Sequence, residues 1–107
     1  MVEESIVSVI RMYLNALVDY GVHAKHAILF GSFARGEQHE WSDIDLIVIA
    51  PEFDEPHDYG LVKKLWRATL KADNRIEPIA CGEREWEEDG GRPILEIARR
   101  EGISIAA

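Results

Sequence analysis

The residues of this chain whose types and spacing could do chemistry lie in the stretch GSFARGEQHEWSDIDL. Gly31 and Ser32 follow a short apolar run, AILF, and Asp43 and Asp45 lie in a second apolar run, DIDLIVIA. The alternation in the second run predicts a strand, because successive strand side chains point to opposite faces of a sheet. The two aspartates would share one face, and the other face would carry Ile44, Leu46 and Val48.

Carboxylates at positions i and i+2 of a strand can act on the same ion. Their Cα atoms lie roughly 6–7 Å apart, so their oxygens can converge on one hard cation, or on two that share a bridging ligand. Mg²⁺ usually takes one or two protein carboxylates, with water and substrate phosphates completing its shell. We therefore expect Asp43 and Asp45 to bind metal. The alternative is a solvated strand face without a ligand.

Gly31 and Ser32 could supply the other half of such a site. Glycine permits a tight turn, and backbone N–H groups at the start of the following helical turn can bind phosphate. Without a ligand, the pair would be a plain strand-to-helix turn with Ser32 as the helix N-cap. A phosphate-binding turn followed closely by a metal-binding strand indicates nucleotide chemistry.

The spacing of these residues matches a known pattern. Gly31-Ser32, ten intervening residues and Asp43-Ile44-Asp45 resemble the GS-x10-DxD signature of the nucleotidyltransferase superfamily that includes DNA polymerase beta. The fuller string GSFARG…SDIDL resembles the minimal nucleotidyltransferases, which are about as long as this chain. The resemblance implies an α/β fold, a single small domain over residues 1–107 with a short mixed sheet flanked by helices, similar to the polymerase beta palm.

The resemblance also implies catalytic metal ligands. Asp43 and Asp45 would hold the divalent ions, with two Mg²⁺ expected, and a third catalytic carboxylate would lie on a later strand beside them. Glu77 is the candidate, because it is the only acidic residue in the strand-like segment RIEPIA. The alternative for Glu77 is an edge-strand glutamate that pairs with Arg75.

The same family assigns nucleotide-binding residues. By resemblance, Gly31 and Ser32 would contact the β- and γ-phosphates of ATP. Arg35 would either contact the triphosphate or form a structural ion pair. Gly36 is expected to end a turn rather than to contact a ligand.

The function implied by the resemblance is Mg²⁺-dependent transfer of AMP from ATP to a hydroxyl group, with release of pyrophosphate. Many minimal nucleotidyltransferases resemble antitoxins that adenylylate a HEPN-type RNase toxin, so a partner protein of that class is the expected acceptor. The alternative is a binding antitoxin or regulatory subunit that neutralises its partner by complex formation. An aminoglycoside-modifying enzyme is disfavoured, because those relatives carry an extra domain for the acceptor.

Composition argues against other classes of function. The formal net charge of −8 opposes stable nucleic-acid binding, which depends on clustered Lys and Arg. The N-terminal MVEESIV lacks the basic-then-apolar order of a signal peptide, and no apolar run approaches the roughly 20 residues of a membrane span. The single cysteine, Cys81, fits a reducing compartment. We expect a soluble, cytoplasmic protein without membrane contact.

The elements that must position these residues are predicted from periodicity. Apolar residues at three- and four-residue spacing predict helices over residues 3–20, 59–72 and 92–101. Strands are predicted over residues 25–30, 43–50 and 75–80, and the C-terminal ISIA is a candidate fourth. Pro78 cannot donate a ladder hydrogen bond, so the third strand is expected at a sheet edge.

Two tryptophans and two loops complete these expectations. Trp66 lies on the apolar side of the second predicted helix and is expected in the core. Trp41 lies beside the GS and DxD residues, and packing is favoured there over stacking on a base. Polar and acidic loops are expected over residues 37–42 and 52–58, while residues 83–90 carry no clear pattern.

Overall fold

A computed structural model of the chain describes residues 2–54, 59–88 and 91–107. Helices and strands alternate along these residues, which confirms the α/β class. The helices are α1 (Glu4–Val18), α2 (Ser32–Arg35), α3 (Tyr59–Ala68), α4 (Glu83–Glu88) and α5 (Pro93–Glu101). The strands are β1 (His26–Phe30), β2 (Ile44–Ile49), β3 (Ile76–Cys81) and β4 (Ile103–Ala106). The predicted loop 52–58 lies partly outside the described residues, and its beginning forms a 3-10 turn, Pro51–Asp54.

The four strands form one mixed sheet in the order β3-β2-β1-β4. β1 is antiparallel to both β2 and β4, whereas β3 is parallel to β2. β3 therefore lies at an edge, as Pro78 predicts, and the short mixed sheet that the resemblance implies is confirmed. Because β2 and β3 run in the same direction, the beginning of β3 lies beside the beginning of β2.

The first face of the sheet packs under α1 and α3. Ile44, Leu46 and Val48 point into this larger core, as the alternation of β2 predicts. Tyr13 of α1 is fully buried there, and its hydroxyl donates a 2.7 Å hydrogen bond to the carbonyl of Leu65 in α3. This bond satisfies the buried hydroxyl and joins the two helices.

The second face of the sheet packs under α5, with α4 beside it. Ile47 and Ile49 of β2 form a smaller core with Leu95 and Ala98 of α5. By the same alternation, Asp45 lies on this face, one strand repeat before Ile47. The second face thus changes from apolar to acidic at the beginning of β2.

Trp66 is not in the core, so that prediction is wrong. Its side chain is half exposed, as is Val62, and Leu70 is 82% exposed. Val62 and Trp66 belong to α3, and Leu70 lies in the 3-10 turn that follows it, Thr69–Lys71. We call these three exposed apolar residues, at four-residue spacing, the α3 stripe. The sheet covers only the side of α3 that carries Leu65 and Ala68, which are buried. The apolar arc of this helix is wider than the face that the core covers, and periodicity alone does not distinguish the two.

We expect adjacent residues of α3 to differ sharply in their contribution to stability. Leu65→Ala should lower the free energy of unfolding by about 2–5 kcal/mol, because it opens a cavity in the core. Trp66→Ala should lower it by about 1 kcal/mol or less, since the ring is half solvated. Urea unfolding of the two variants tests this expectation, and equal losses would contradict the placement of Trp66.

None of the helices within the described ranges is long and apolar enough to cross a lipid bilayer.

Candidate active site

Two neighbouring strands bring two of the predicted carboxylates, Asp45 and Glu77, side by side. Asp45 of β2 lies opposite Phe30 of antiparallel β1 and opposite Glu77 of parallel β3. Neighbouring strands of a sheet lie about 4.8 Å apart, so side chains of directly opposite residues are neighbours. The sheet register therefore brings Glu77 beside the two aspartates, as the resemblance implies.

Gly31 follows Phe30 directly, so its turn lies against Asp45. Its φ of 76° and ψ of −153° fall in a region that is essentially restricted to glycine. A Cβ placed there would overlap the Oδ2 atom of Asp45. Gly31 is thus required both for its backbone conformation and for the close approach of the carboxylate.

Ser32 is the first residue of α2, whereas Gly31 takes the N-cap position. The N-cap interpretation of Ser32 is therefore wrong. Gly36 ends the helix in the left-handed conformation, as expected for a residue that terminates a turn.

An open cleft of about 580 Å³ lies between the start of β2, the Gly31 turn and α5. Five of the six predicted site residues contribute to its wall, namely Gly31, Ser32, Arg35, Asp43 and Asp45. The described wall is completed by Phe30, Glu37, His39, Trp41, Ser42, Ile94, Ile97 and Glu101. Glu77 is exposed beside this cleft and contacts it through the aspartates.

The loop before β2 is held by a small reciprocal turn. The hydroxyl of the buried Ser42 accepts a 2.8 Å hydrogen bond from the His39 N–H, and the Ser42 N–H donates to the His39 carbonyl. This turn delivers Asp43 to the cleft. Trp41, between them, is 80% exposed at the cleft wall, so the prediction that it packs is wrong.

Two carboxylates beside the cleft, those of Asp45 and Glu77, bind protons more tightly than they would in water. Partial burial, and then repulsion from Asp43, raise the pKa of Asp45, although Arg35 opposes this. The pKa of Glu77 is also raised, by desolvation and by its interactions with Asp43 and Asp45. A bound cation would relieve this repulsion, so the site favours positive ligands.

The donor set fits Mg²⁺ or a similar hard cation that nucleotide oxygens help to coordinate. In the part of the chain that the structure describes, no three Asp, Glu, His or Cys side chains form a ready-made metal cage. Mg²⁺ rarely uses such a cage, because one or two carboxylates, water and substrate phosphates complete its shell. Asp43 and Asp45 meet that requirement, and Glu77 lies close enough to contribute through them.

Arg35 projects into the cleft between two carboxylates. Its Nε donates to Glu37 at 2.8 Å, and its Nη1 donates to Glu101 at 3.0 Å. These partners raise the pKa of Arg35, with the bond to Glu37 the largest cause. The ion-pair interpretation of Arg35 is confirmed, and its place in the cleft wall leaves the triphosphate interpretation open as well.

The beginning of β3 is fixed by Asp73. Its Oδ1 accepts hydrogen bonds from the backbone N–H and Nε of Arg75, and its Oδ2 accepts one from Nη2 at 2.6 Å. The Arg75 carbonyl in turn accepts from the Ile44 N–H at 2.8 Å. Arg75 therefore pairs with Asp73 rather than with Glu77, which leaves Glu77 directed to the aspartates.

We expect this pair to contribute stability that depends on pH. The Arg75 guanidinium holds the pKa of Asp73 below its ordinary value. The ionised carboxylate therefore stabilises the fold at pH values above the ordinary pKa of aspartate, and this stabilisation is lost as pH falls through the lower pKa of the folded state. Asp73→Asn should cost about 1 kcal/mol at pH 7 and less at pH 3. Urea unfolding at both pH values measures the difference, and an equal cost at both would contradict the charged pair.

Sequence reasoning did not identify Glu101 or the apolar residues of α5 that line the cleft. Glu101 is the last residue of α5, and its Oε1 also accepts a 3.3 Å hydrogen bond from the Gly31 N–H. A helix that ends in Glu-Gly is a common pattern, so no local signal distinguishes this glutamate. Only the packing of α5 over β1 brings it to the turn.

The comparisons with known proteins identify the family of this chain. A family model described as a nucleotidyltransferase domain matches residues 10–91, most of the chain. The chain belongs to this family. The matched range contains the GS turn, both aspartates and Glu77, so the nucleotidyltransferase domain includes the whole predicted metal and phosphate site.

One sequence relative and two solved structures are similar to this nucleotidyltransferase domain. A Methanocaldococcus jannaschii protein named as a putative protein adenylyltransferase is 40% identical over 53 residues, which cover 49% of this chain and 54% of the relative. The match thus spans about half of that protein's length. A putative nucleotidyltransferase from Sulfolobus solfataricus aligns with a TM-score of 0.52, 22% identity and 82% coverage of each chain.

The second solved structure is a toxin-antitoxin with AMP-PNP. It aligns with a TM-score of 0.54 and 24% identity, covering 89% of this chain and 70% of that one. At these identities both solved structures show the fold alone.

Proposed function

We propose that this nucleotidyltransferase domain transfers AMP from ATP to a hydroxyl of a partner protein in a Mg²⁺-dependent reaction. The observation that carries the proposal is the convergence of the Gly31 turn, Arg35 and both aspartates on one cleft. Phosphoryl transfer requires positioning and charge stabilisation more than covalent participation by the protein. This cleft offers both.

In the proposed reaction, different residues bind the phosphates, hold the metal ions and accept the proton. The Gly31 and Ser32 N–H groups and the Arg35 guanidinium bind the triphosphate, while Asp43 and Asp45 hold the ions that neutralise it. Bound divalent ions would supply charge stabilisation at the attacking and leaving oxygens. In this proposal Glu77, whose pKa is raised by desolvation and by Asp43 and Asp45, accepts the proton of the acceptor hydroxyl.

The charge of the cleft supports a need for metal. Among the described residues of its wall, Arg35 is the only arginine or lysine, against the carboxylates of Glu37, Asp43, Asp45 and Glu101. A triphosphate would be repelled by this arrangement unless cations entered with it. Nucleotide binding should therefore be weak after chelation of divalent ions.

A partner protein as the acceptor is supported by the surface and by the relatives. The cleft is open, and the α3 stripe exposes apolar area of the kind that partner proteins cover. The stripe is accompanied by Lys63, Arg67 and Lys71, although the chain as a whole is acidic. One relative is named as a putative protein adenylyltransferase, and a structural neighbour is a toxin-antitoxin. We propose a HEPN-type toxin as the acceptor, antitoxin activity as the role and the cytoplasm as the location.

The test uses ATP labelled at the α-phosphate, Mg²⁺ and an extract of the source cells. We expect a labelled protein band with the wild-type domain and none with Asp45→Asn. Mass spectrometry of that band would identify the acceptor and the modified residue. A labelled RNA instead of a protein would overturn the protein acceptor, and no label would overturn adenylyl transfer.

The second candidate function is neutralisation of the partner by binding alone. The observation that favours it is the α3 stripe, none of whose residues belongs to the cleft wall. The combined Asp43→Asn and Asp45→Asn variant separates the two candidates in cells that express the toxin. Loss of protection indicates catalysis, whereas full protection indicates that complex formation is sufficient.

A further inference from the structure

The Glu101 carboxylate occupies hydrogen-bond donors that the proposed function assigns to the triphosphate. One of its oxygens, Oε1, accepts from both the Gly31 N–H at 3.3 Å and the Arg35 Nη1 at 3.0 Å. An anionic oxygen held by a backbone N–H and a guanidinium has the surroundings that a phosphate oxygen takes in a nucleotide site. Glu101 therefore resembles a bound phosphate in charge and in partners.

We propose that Glu101 sets the affinity of the cleft for triphosphate by competing for the Gly31 N–H and Arg35. This inference rests on the proposed nucleotide site. A backbone N–H has one hydrogen to donate, so Glu101 and a phosphate oxygen cannot both receive a full hydrogen bond from Gly31. When the triphosphate binds, the Glu101 side chain leaves this position.

Other residues of α5 and its N-cap are anchored to neighbouring elements, so we assign the exchange to the Glu101 side chain. Arg92, before α5, bonds Glu85 and the Ala80 carbonyl. Arg99 donates to the Trp86 carbonyl at 2.7 Å and stacks over the Trp86 ring at 4.6 Å. These contacts connect α5 and its N-cap residue to β3 and α4. The Glu101 side chain itself is 28% exposed, which gives it room to rotate.

The same competition acts on the product. After transfer, pyrophosphate is left on the Gly31 and Arg35 donors, and Glu101 is available to replace it. The carboxylate thus weakens the binding of substrate and assists the release of product. An alternative role for Glu101, in which it only positions Arg35, predicts the opposite effect on affinity.

The test is calorimetric titration of Mg²⁺ with AMP-PNP, and separately of Mg²⁺ with pyrophosphate, into wild type and variants. Glu101→Gln keeps the shape of the side chain and removes its charge, and we expect roughly three- to thirtyfold tighter binding of both probes. Glu101→Asp keeps the charge but shortens the reach, and should also bind more tightly than wild type. Glu96→Gln, on the same helix outside the cleft wall, removes an equal charge and should change either Kd by less than about twofold.

Each outcome decides the proposal. Tighter binding by Glu101→Gln and Glu101→Asp, but not by Glu96→Gln, supports competition. Unchanged or weaker binding by both Glu101 variants overturns it and indicates that Glu101 positions Arg35, while the proposed function stands. If neither wild type nor any variant binds either probe, the proposed function fails, and this inference fails with it.

Discussion

Asp45→Asn is expected to lower the rate of adenylyl transfer by about a thousandfold or more. Loss of one metal-binding carboxylate removes several kcal/mol of charge stabilisation from the transition state, and each 1.4 kcal/mol is worth about a factor of ten in rate. Asparagine has nearly the same size as aspartate and fits beside Gly31 without a clash. The rate of label transfer from α-labelled ATP measures the effect.

The same substitution should leave the fold intact or make it more stable. Burial and the charge of Asp43 raise the pKa of Asp45. The ionised carboxylate is therefore less favourable in the folded protein than in the unfolded chain. Asparagine removes that unfavourable charge. We expect an equal or higher Tm together with lost activity, and a large fall in Tm would show that Asp45 has a structural role instead.

Gly31→Ala should be the second most damaging substitution. Alanine at this φ and ψ is strained by about 1–3 kcal/mol, and its Cβ would overlap the Asp45 carboxylate. The turn must then shift away from Asp45, which moves the phosphate donors relative to the metal ligands. Because a displacement of about 1 Å can cost a factor of about a hundred, we expect at least that loss in transfer rate.

Gly21→Ala provides the matched control for backbone strain. Gly21 also has a positive φ, 85°, but nothing lies within 4 Å of the position of an added Cβ. This variant should lose about 1 kcal/mol of stability and keep the wild-type transfer rate. Equal activity losses in both variants would mean that strain alone, and not the contact with Asp45, explains the effect of Gly31→Ala.

The GS and DxD residues could be predicted from sequence because their arrangement depends on local rules. Asp43 lies one residue before β2 and two before Asp45, so strand alternation predicts both on one face. The turn after β1 places Gly31 at the neighbouring strand end. Glu77 is predicted through the resemblance, which implies a third carboxylate on a later strand beside the aspartates. The parallel pairing of β3 with β2 brings Glu77 opposite Asp45. These interactions are specified by residues that are close in sequence or by adjacent strands.

Glu101 and the α3 stripe could not be predicted in this way. Glu101 reaches Gly31 and Arg35 only because α5 packs across β1, and its contacts join residues far apart in sequence. Trp66 has the spacing of a core residue, yet the sheet covers the side of α3 that carries Leu65. Periodicity identifies an apolar surface but does not say how much of it the fold covers.

The measurement that tests the central claim most directly is a crystal structure of the domain with AMP-PNP and Mn²⁺. Mn²⁺ takes the same oxygen ligands as Mg²⁺ and can be located by its anomalous scattering. We expect the triphosphate against Gly31, Ser32 and Arg35, and Mn²⁺ between the phosphates and the carboxylates of Asp43 and Asp45. A nucleotide bound elsewhere, or a triphosphate in this cleft without metal at the aspartates, would contradict the proposed site.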